Sequence, residues 1–533
     1  MRGGSKRAKR YPSGVYDGSA VLYCPLTFTL LIIMLSSFLF AQINHVETAA
    51  TLLGQGKLDQ AESEARKALA DPTTKPLALA MLGTIRLQEG KYPESATLLN
   101  QALALNPHLV GARSSLGTAY VLQGKIDLAK QTFQRVLKLD PGNVDARFNL
   151  AKIETYQQHF QESLDLIAPI ADKLTESEDG LLVLATDYGA LGGNAKLAGL
   201  VQNWRRLSNP APEASLDFGG ILATSGLKTE AKEIIDAQEV RFATNPTSTL
   251  AFGLGRSYFA LGDLDKAETY FQRALSIGPD CAPCNQSLAI IAERQGNSEK
   301  ALAYLIAARK LDPNNPEILF ELGKVCLERN LLEDAVPALA RAVELKPEQE
   351  QYVYVLGSAY VAKHDLPKAA HLFAQLLQKH PHDAVLNYAI GSVYYLQAKY
   401  PEAEASLKES LRGKPDQVAA PYYLGLSYAA QGQDDLAVET FRNLLKSHPD
   451  HAPSYVKLGS ILLRQHQYDE AQKDLERAVA LDPNSVEAHY QLGLVLKRMG
   501  KAAESDQQFA ESRKLESERR QQTDTHLRLL LPE

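Results

Sequence analysis

Leu254–Pro279, LGRSYFALGDLDKAETYFQRALSIGP, holds two short helical patterns on either side of Gly262-Asp263. Before the turn, Leu254, Gly255 and Tyr258 stand at i, i+1 and i+4. After it, Ala267, Phe271 and Ala274 stand at i, i+4 and i+7, one face of a 3.6-residue period. Pro279 stops the second pattern, because proline cannot continue the hydrogen-bond ladder and biases the preceding residue towards extended geometry. The spacing predicts a helical hairpin with one apolar side that it cannot bury alone.

Repetition supplies the missing cover. Prolines recur every 34 residues at 279, 313, 347, 381, 415, 449 and 483. With Pro279 taken as position 32, position 8 is Gly or Ala in fourteen units running from Gln42 to Arg519. The step is 34 residues throughout, except for 36 between Gly219 and Gly255. Position 20 is Ala or Ser in every unit but one, where Leu197 stands. Small residues at both positions suit a close approach of the two helices, which larger side chains would overpack. Gly255 and Ala267 are therefore expected to reject Leu, whereas Lys266 reads as solvent-facing.

The period, with its L-G-x-x-Y start, small residue, aromatic, alanine and proline, resembles the tetratricopeptide repeat. The resemblance implies an all-α right-handed superhelical solenoid of about fourteen helix-turn-helix repeats, stabilised by stacking of neighbours. It also implies a peptide-binding concave surface built from positions 2, 5, 9, 12 and 13 of the first helices. In units 10 to 12 none of those fifteen residues is charged, and tyrosines stand out among them. Tyr354, Ser358, Tyr388, Ser392, Tyr395, Tyr422 and Leu426 are the candidate peptide-binding residues. Charged residues such as Glu293, Lys324, Arg464 and Glu487 flank the stretch, the composition of an interface core with a polar rim. An aromatic at position 5 is also common in this family as a core residue, so both readings stand. The carboxylate clamp of chaperone-binding relatives and the asparagine ladder of sugar-transferase relatives are both missing.

Five segments are expected: 1–41 as signal peptide or membrane anchor, 42–143 as units 1–3, 144–247 as diverged units 4–6, 248–519 as units 7–14, and 520–533 as a tail. The first ten residues are basic, and Leu26–Ala41 is apolar apart from hydroxyl-type groups. Those flanks fit a signal peptide cleaved near Ala41 or a retained anchor, and in either case the repeats are exported. In units 4–6, Glu154 replaces an aromatic at position 11, Pro169 interrupts a helix, and Gly192-Gly193 is expected to loosen unit 5. The only tryptophan, Trp204, and a two-residue insertion between Ala231 and Pro246 also fall there. Divergence at constant fold and a bend or second binding surface are the two readings.

The formal net charge is −6, and the basic start leaves the rest at −10, with 52 basic and 62 acidic residues. A mildly acidic body lacks the basic stripe that nucleic acid requires. No phosphate loop, nucleophile elbow or zinc-protease helix occurs, and no cofactor is implied. His380/His382 and His448/His451 bracket loop prolines in units two repeats apart, a poor arrangement for zinc. Cys281 and Cys284 begin a first helix as C-A-P-C, open to reading as a disulfide, as inert thiols or as a redox pair. The expected function is a non-enzymatic scaffold outside the cytoplasm that binds partner proteins or peptides. The alternative is an accessory subunit of an envelope assembly, secretion or biogenesis machine with one dedicated partner.

Overall fold

The computed structural model describes residues 45–530, with side chains to residue 519. The segment 1–41, expected to be a signal peptide or anchor, lies outside the described residues. Among those residues no helix is long and apolar enough to cross a membrane. The chain separates into two compact bodies that divide between Ala267 and Glu268. Each is an all-α stack of helical hairpins, with no strand among the described residues.

The hairpins follow the sequence register. In unit 3, Val110–Leu122 is the first helix and Ile126–Leu139 the second. In unit 12 the pair is Ala419–Ala430 and Asp434–Ser447. Between the two helices the residue at position 15 takes a left-handed conformation in all fourteen units. Glycine supplies it in nine, at almost no steric cost. Gln158, Asn330, His364, Ala398 and His466 supply it in the other five. A left-handed non-glycine residue costs roughly 1–2 kcal/mol. Ala398→Gly should therefore stabilise unit 11 by about 1 kcal/mol, seen as slower exchange of its turn amides. Faster exchange would mean that the turn is not held in this conformation.

The position-20 residues are buried in every unit, from Ala61 to Ser505, including Leu197. Position 8 is close-packed too, but its main neighbour is the large side chain at position 24 rather than the residue at position 20. A Cβ added to Gly117 would lie 2.6 Å from Phe133 Cε1, and one on Gly323 would lie 2.5 Å from Leu339 Cγ. The glycine is thus a seat for the apolar knob of the opposite helix. Lys266 is not simply solvated: its ammonium donates to Glu239 Oε1 at 3.0 Å and lies 4.4 Å from the Tyr258 ring centre.

Units 4–6 keep the hairpin plan by local exchanges of size and charge. Leu197, where the others have Ala or Ser, is fully buried, with its Cδ2 3.9 Å from where a Cβ on Gly189 would sit. Gly192 is the ordinary left-handed turn residue, so it does not loosen unit 5. Pro169 does break the second helix of unit 4, which becomes Phe160–Ile167, a 3₁₀ turn over Ala168–Ile170, and Ala171–Leu174. The two extra residues of unit 6 are absorbed by lengthening its second helix, Lys228–Thr244, to 17 residues. Trp204 is core, stacked on Phe218 with ring centres 4.3 Å apart.

Two buried carboxylates mark the joins on either side of unit 4, Glu154 at the join with unit 3 and Asp187 at the join with unit 5. Glu154 is paired with Lys130 at 2.7 Å and His159 at 3.0 Å. Burial pushes its pKa up, but those two partners outweigh it and hold the carboxyl below the usual range. Asp187 is fully buried and takes a hydrogen bond from Thr155 Oγ1 at 2.8 Å, while its Oδ2 has no partner. Burial raises its pKa, only partly offset by Ser163 and Thr155. The folded state thus binds this proton more tightly than the unfolded chain does. The resulting stability is full below the ordinary carboxylate range and is lost as pH rises through the folded-state value. Relative to Asp187→Asn, the wild-type join should weaken with rising pH, by about 1.4 kcal/mol per unit of upward shift. Amide exchange in units 4 and 5 between pH 4 and 8 checks this, and parallel profiles for the two proteins would contradict it.

The last helix, Ala502–Leu530, passes the expected end of unit 14 at Arg519 without a break. The sequence has no Gly or Pro between Lys501 and Leu531 to stop it.

Candidate functional site

In the second body the first helices of units 11 and 12, Ala384–Leu396 and Ala419–Ala430, lie against each other. Each starts within a turn of a loop proline. In unit 11, Asp383 caps the helix by accepting the Leu386 N–H at 2.8 Å. Capping and the 3.6-residue period together fix which side chains face outwards from the row of first helices.

All seven candidate residues are half-buried. Tyr388, Tyr395 and Tyr422 belong to one ring cluster, joined through a fourth tyrosine that the family positions missed. Tyr423 lies 6.1 Å from Tyr388, 5.5 Å from Tyr395 and 6.0 Å from Tyr422, centre to centre. It occupies position 6, beside the family's binding position, and only the packing of adjacent first helices reveals its role. Leu426 packs, like these rings, against one buried core. Tyr354 stands apart and leans on Phe373 of its own hairpin at 5.5 Å. Tyr422 similarly rests on Phe441 at 6.0 Å and meets the His451 ring at 5.2 Å. These two rings therefore serve the core as well as the surface.

The polar groups divide into two kinds. Ser358 donates to the Tyr354 carbonyl at 3.2 Å and Ser392 to the Ala389 carbonyl at 2.8 Å, leaving them only as acceptors. The hydroxyls of Tyr354, Tyr388, Tyr395, Tyr422 and Tyr423 make no hydrogen bond to any described residue. Burial raises the pKa of Tyr354, Tyr388 and Tyr395. Burial, with the Glu487 charge second, pushes Tyr422 up to about 12. Across the physiological range these groups stay protonated and able to donate.

A hollow of about 400 Å³ opens at Tyr354, between units 10 and 11. Glu350, Gln351, Tyr354, His380, Asp383 and Val385 line it. The charges around this floor are already matched. Glu350 is held by Lys379 at 3.1 Å and His380 at 2.8 Å. Lys324 lies between Glu321 and Glu293, Arg464 meets Asp434 at 2.6 Å, and Glu487 meets Lys457 at 2.5 Å. Paired exposed charges of this kind contribute little energy but leave few free charges to attract a ligand.

The first body carries a hollow of about 410 Å³ over the first helices of units 5 to 7, lined by Thr186, Leu216, Ile221, Thr224, Arg256 and Ser257 among others. Two of those helices, Pro212–Thr224 and Ser248–Leu261, approach unusually closely. A Cβ on Gly253 would come within 2.7 Å of Leu216 Cδ1, and Ser257 Oγ donates to the Leu216 carbonyl at 3.1 Å.

Three of the four loop histidines turn to different neighbours. His380 faces Glu350, His382 Nδ1 donates to the Glu409 carboxylate (2.7 Å), and His451 faces Ser454 (2.7 Å). No group of three potential metal ligands occurs among the described residues. Cys281 and Cys284 are joined by a disulfide at the start of the helix Ala282–Arg294.

Family models describing the tetratricopeptide repeat match the chain along most of its length. One matches residues 47–109, 115–168, 287–350, 354–418 and 388–452, more than half of the chain. Others cover 86–138, 246–314 and 459–500. A curated relative, "Protein CTR9 homolog" of Arabidopsis thaliana, is 33% identical over 76 residues, 14% of this chain and 7% of that protein. Among solved structures, the Cut9-Hcn1 hetero-tetramer of the APC/C aligns over 91% of this chain and 96% of its own, at 15% identity and TM-score 0.45. A tetratricopeptide repeat protein from Parabacteroides merdae aligns over 47% of this chain and 98% of its own, at 19% identity and TM-score 0.38. With its period, its hairpins and more than half its length matched by one model, the chain belongs to the tetratricopeptide repeat family.

Proposed function

We propose that this chain is a non-enzymatic scaffold that acts outside the cytoplasm and holds a segment of a partner protein against the first helices of units 10 to 12. The observation that carries the reading is the floor of half-buried tyrosines, packed ring to ring with unpartnered hydroxyls. Tyrosine offers a large contact area with few rotors and keeps a polar handle, a combination suited to an apolar peptide whose backbone carbonyls need donors. The occupant is an extended or helical segment with apolar anchors. Because the rim charges are matched within the chain, the affinity rests on burial and on hydroxyl donors rather than on charge.

A photo-crosslinking residue placed at Tyr395 tests the site in the intact chain. Adducts with partner protein should form there and not at Arg442, an exposed residue of the second helix of unit 12. Equal crosslinking at the two places would remove the groove from the account.

The extracytoplasmic part of the proposal rests on the sequence of residues 1–41 alone. Alkaline phosphatase fused after Glu533 should be active in a bacterial host, because the basic start holds the apolar run's other end on the far side of the membrane. An inactive phosphatase with an active cytoplasmic reporter at that point would contradict it. An envelope pulldown distinguishes a general scaffold, with many weak partners, from a subunit with one stoichiometric partner.

A further inference from the structure

The disulfide at the head of unit 8 occupies two positions where the fold has no need of sulfur. Cys281 is the residue before the helix, and its Sγ accepts the Cys284 N–H at 3.1 Å. Elsewhere in the same body an oxygen fills that role. Asn315 accepts the Ile318 N–H at 3.2 Å, Asp383 accepts that of Leu386, and Ser485 accepts that of Ala488 at 3.3 Å. The position of Cys284 is taken in those units by Ile318, Leu386 and Ala488, all buried. The backbone of the cap is also held independently of the sulfurs, since Asn285 Nδ2 donates to the Cys281 carbonyl at 3.0 Å. Finally, a link between residues three apart closes a very short loop, where a disulfide restricts the unfolded chain least.

We propose that Cys281–Cys284 is a thiol–disulfide exchange site that accepts electrons from a dithiol, rather than a staple. The two sulfurs are unequal: Cys284 is fully buried and Cys281 is half-buried at the surface of the helix start. An incoming thiolate attacks Cys281 Sγ, and the bond between the two cysteines breaks. Its electron pair passes to Cys284, which takes up a proton. The second thiolate of the dithiol then attacks the outer sulfur of the mixed disulfide and expels Cys281 as a thiolate. The dithiol leaves as a disulfide, having given up two electrons, and the protein pair is reduced. Cys281 can hold the negative charge because the Cys284 N–H already points at its sulfur and the 13-residue helix presents its positive end there. Asp280, exposed at the preceding residue, places an opposing negative charge nearby.

The test uses the full-length chain with site-resolved mass spectrometry, so that Cys24 and Cys326 do not confuse the readout. Cys281 in the Cys284→Ser variant should be alkylated by iodoacetamide at least about ten-fold faster than Cys284 in Cys281→Ser. Oxidised glutathione should form a mixed disulfide on Cys281 alone. In wild type reduced with dithiothreitol, amide protection from Asn285 to Ala289 should stay within about ten-fold of its oxidised value. Equal alkylation rates in the two variants, or a larger loss of protection on reduction, would overturn the proposal. The wild-type reduction arm keeps the test decisive should either serine variant fold poorly.

Discussion

Phe441→Ala should destabilise unit 12 by roughly 3–5 kcal/mol, the usual cost of emptying a buried phenylalanine site. Phe441 has no exposed surface, and its ring fills the seat left by Gly425 on the opposite helix. A Cβ added to Gly425 would lie 2.6 Å from Phe441 Cε1 and 2.7 Å from Cζ. Gly425→Leu should therefore cost roughly 1–3 kcal/mol through overpacking. The two changes share one space, so the double variant should be less damaged than the sum of the singles, by about 0.5–3 kcal/mol. Hydrogen exchange of the unit 12 amides is the suitable readout, because an array of repeats need not melt in a single step. Additive effects would mean that positions 8 and 24 do not form the contact on which the hairpin is built.

Much of that hairpin was legible in the sequence because its requirements fall on residue size. The glycine and alanine at positions 8 and 20 announce a close approach whatever surrounds them. Their partner at position 24 was less visible. It varies from Ala65 to Phe133 and Leu339, and its pairing with position 8 depends on how the helices cross. The left-handed turn shows as a glycine in nine units but hides behind Ala398 or His466 in others, where tertiary packing holds a conformation that the residue itself disfavours. Unit 5 misled for a similar reason: Leu197 breaks the size rule at position 20 and is nonetheless fully buried. The last helix runs past the period's end because the backbone stops only where a residue stops it, and none does before Leu531.

The tyrosine cluster was legible in part. Family positions point to Tyr388, Tyr395 and Tyr422, and the structure joins these rings into one cluster. They miss Tyr423 at its centre, because position 6 lies towards the neighbouring first helix and its importance comes from a contact between units. They also include Ser358 and Ser392, whose protons are spent on their own helix. No sequence pattern could show that, since the choice between backbone and ligand is made by a rotamer.

The central claim is that the tyrosine floor binds the partner. Tyr388 and Tyr422 bracket Tyr423 from the two adjacent first helices, so removing both opens the cluster from either side. If they act as hot spots, Tyr388→Ala with Tyr422→Ala should weaken binding by about 2 kcal/mol or more, roughly 30-fold in Kd. Tyr422 also packs on Phe441, so the helical content of the variant has to be followed alongside. The direct measurement is titration calorimetry with a peptide selected from a random library on the immobilised wild-type chain. The account predicts a Kd at least about 30-fold weaker for the double variant, with an unchanged circular dichroism spectrum. A double variant that binds the selected peptide as tightly as wild type would contradict it.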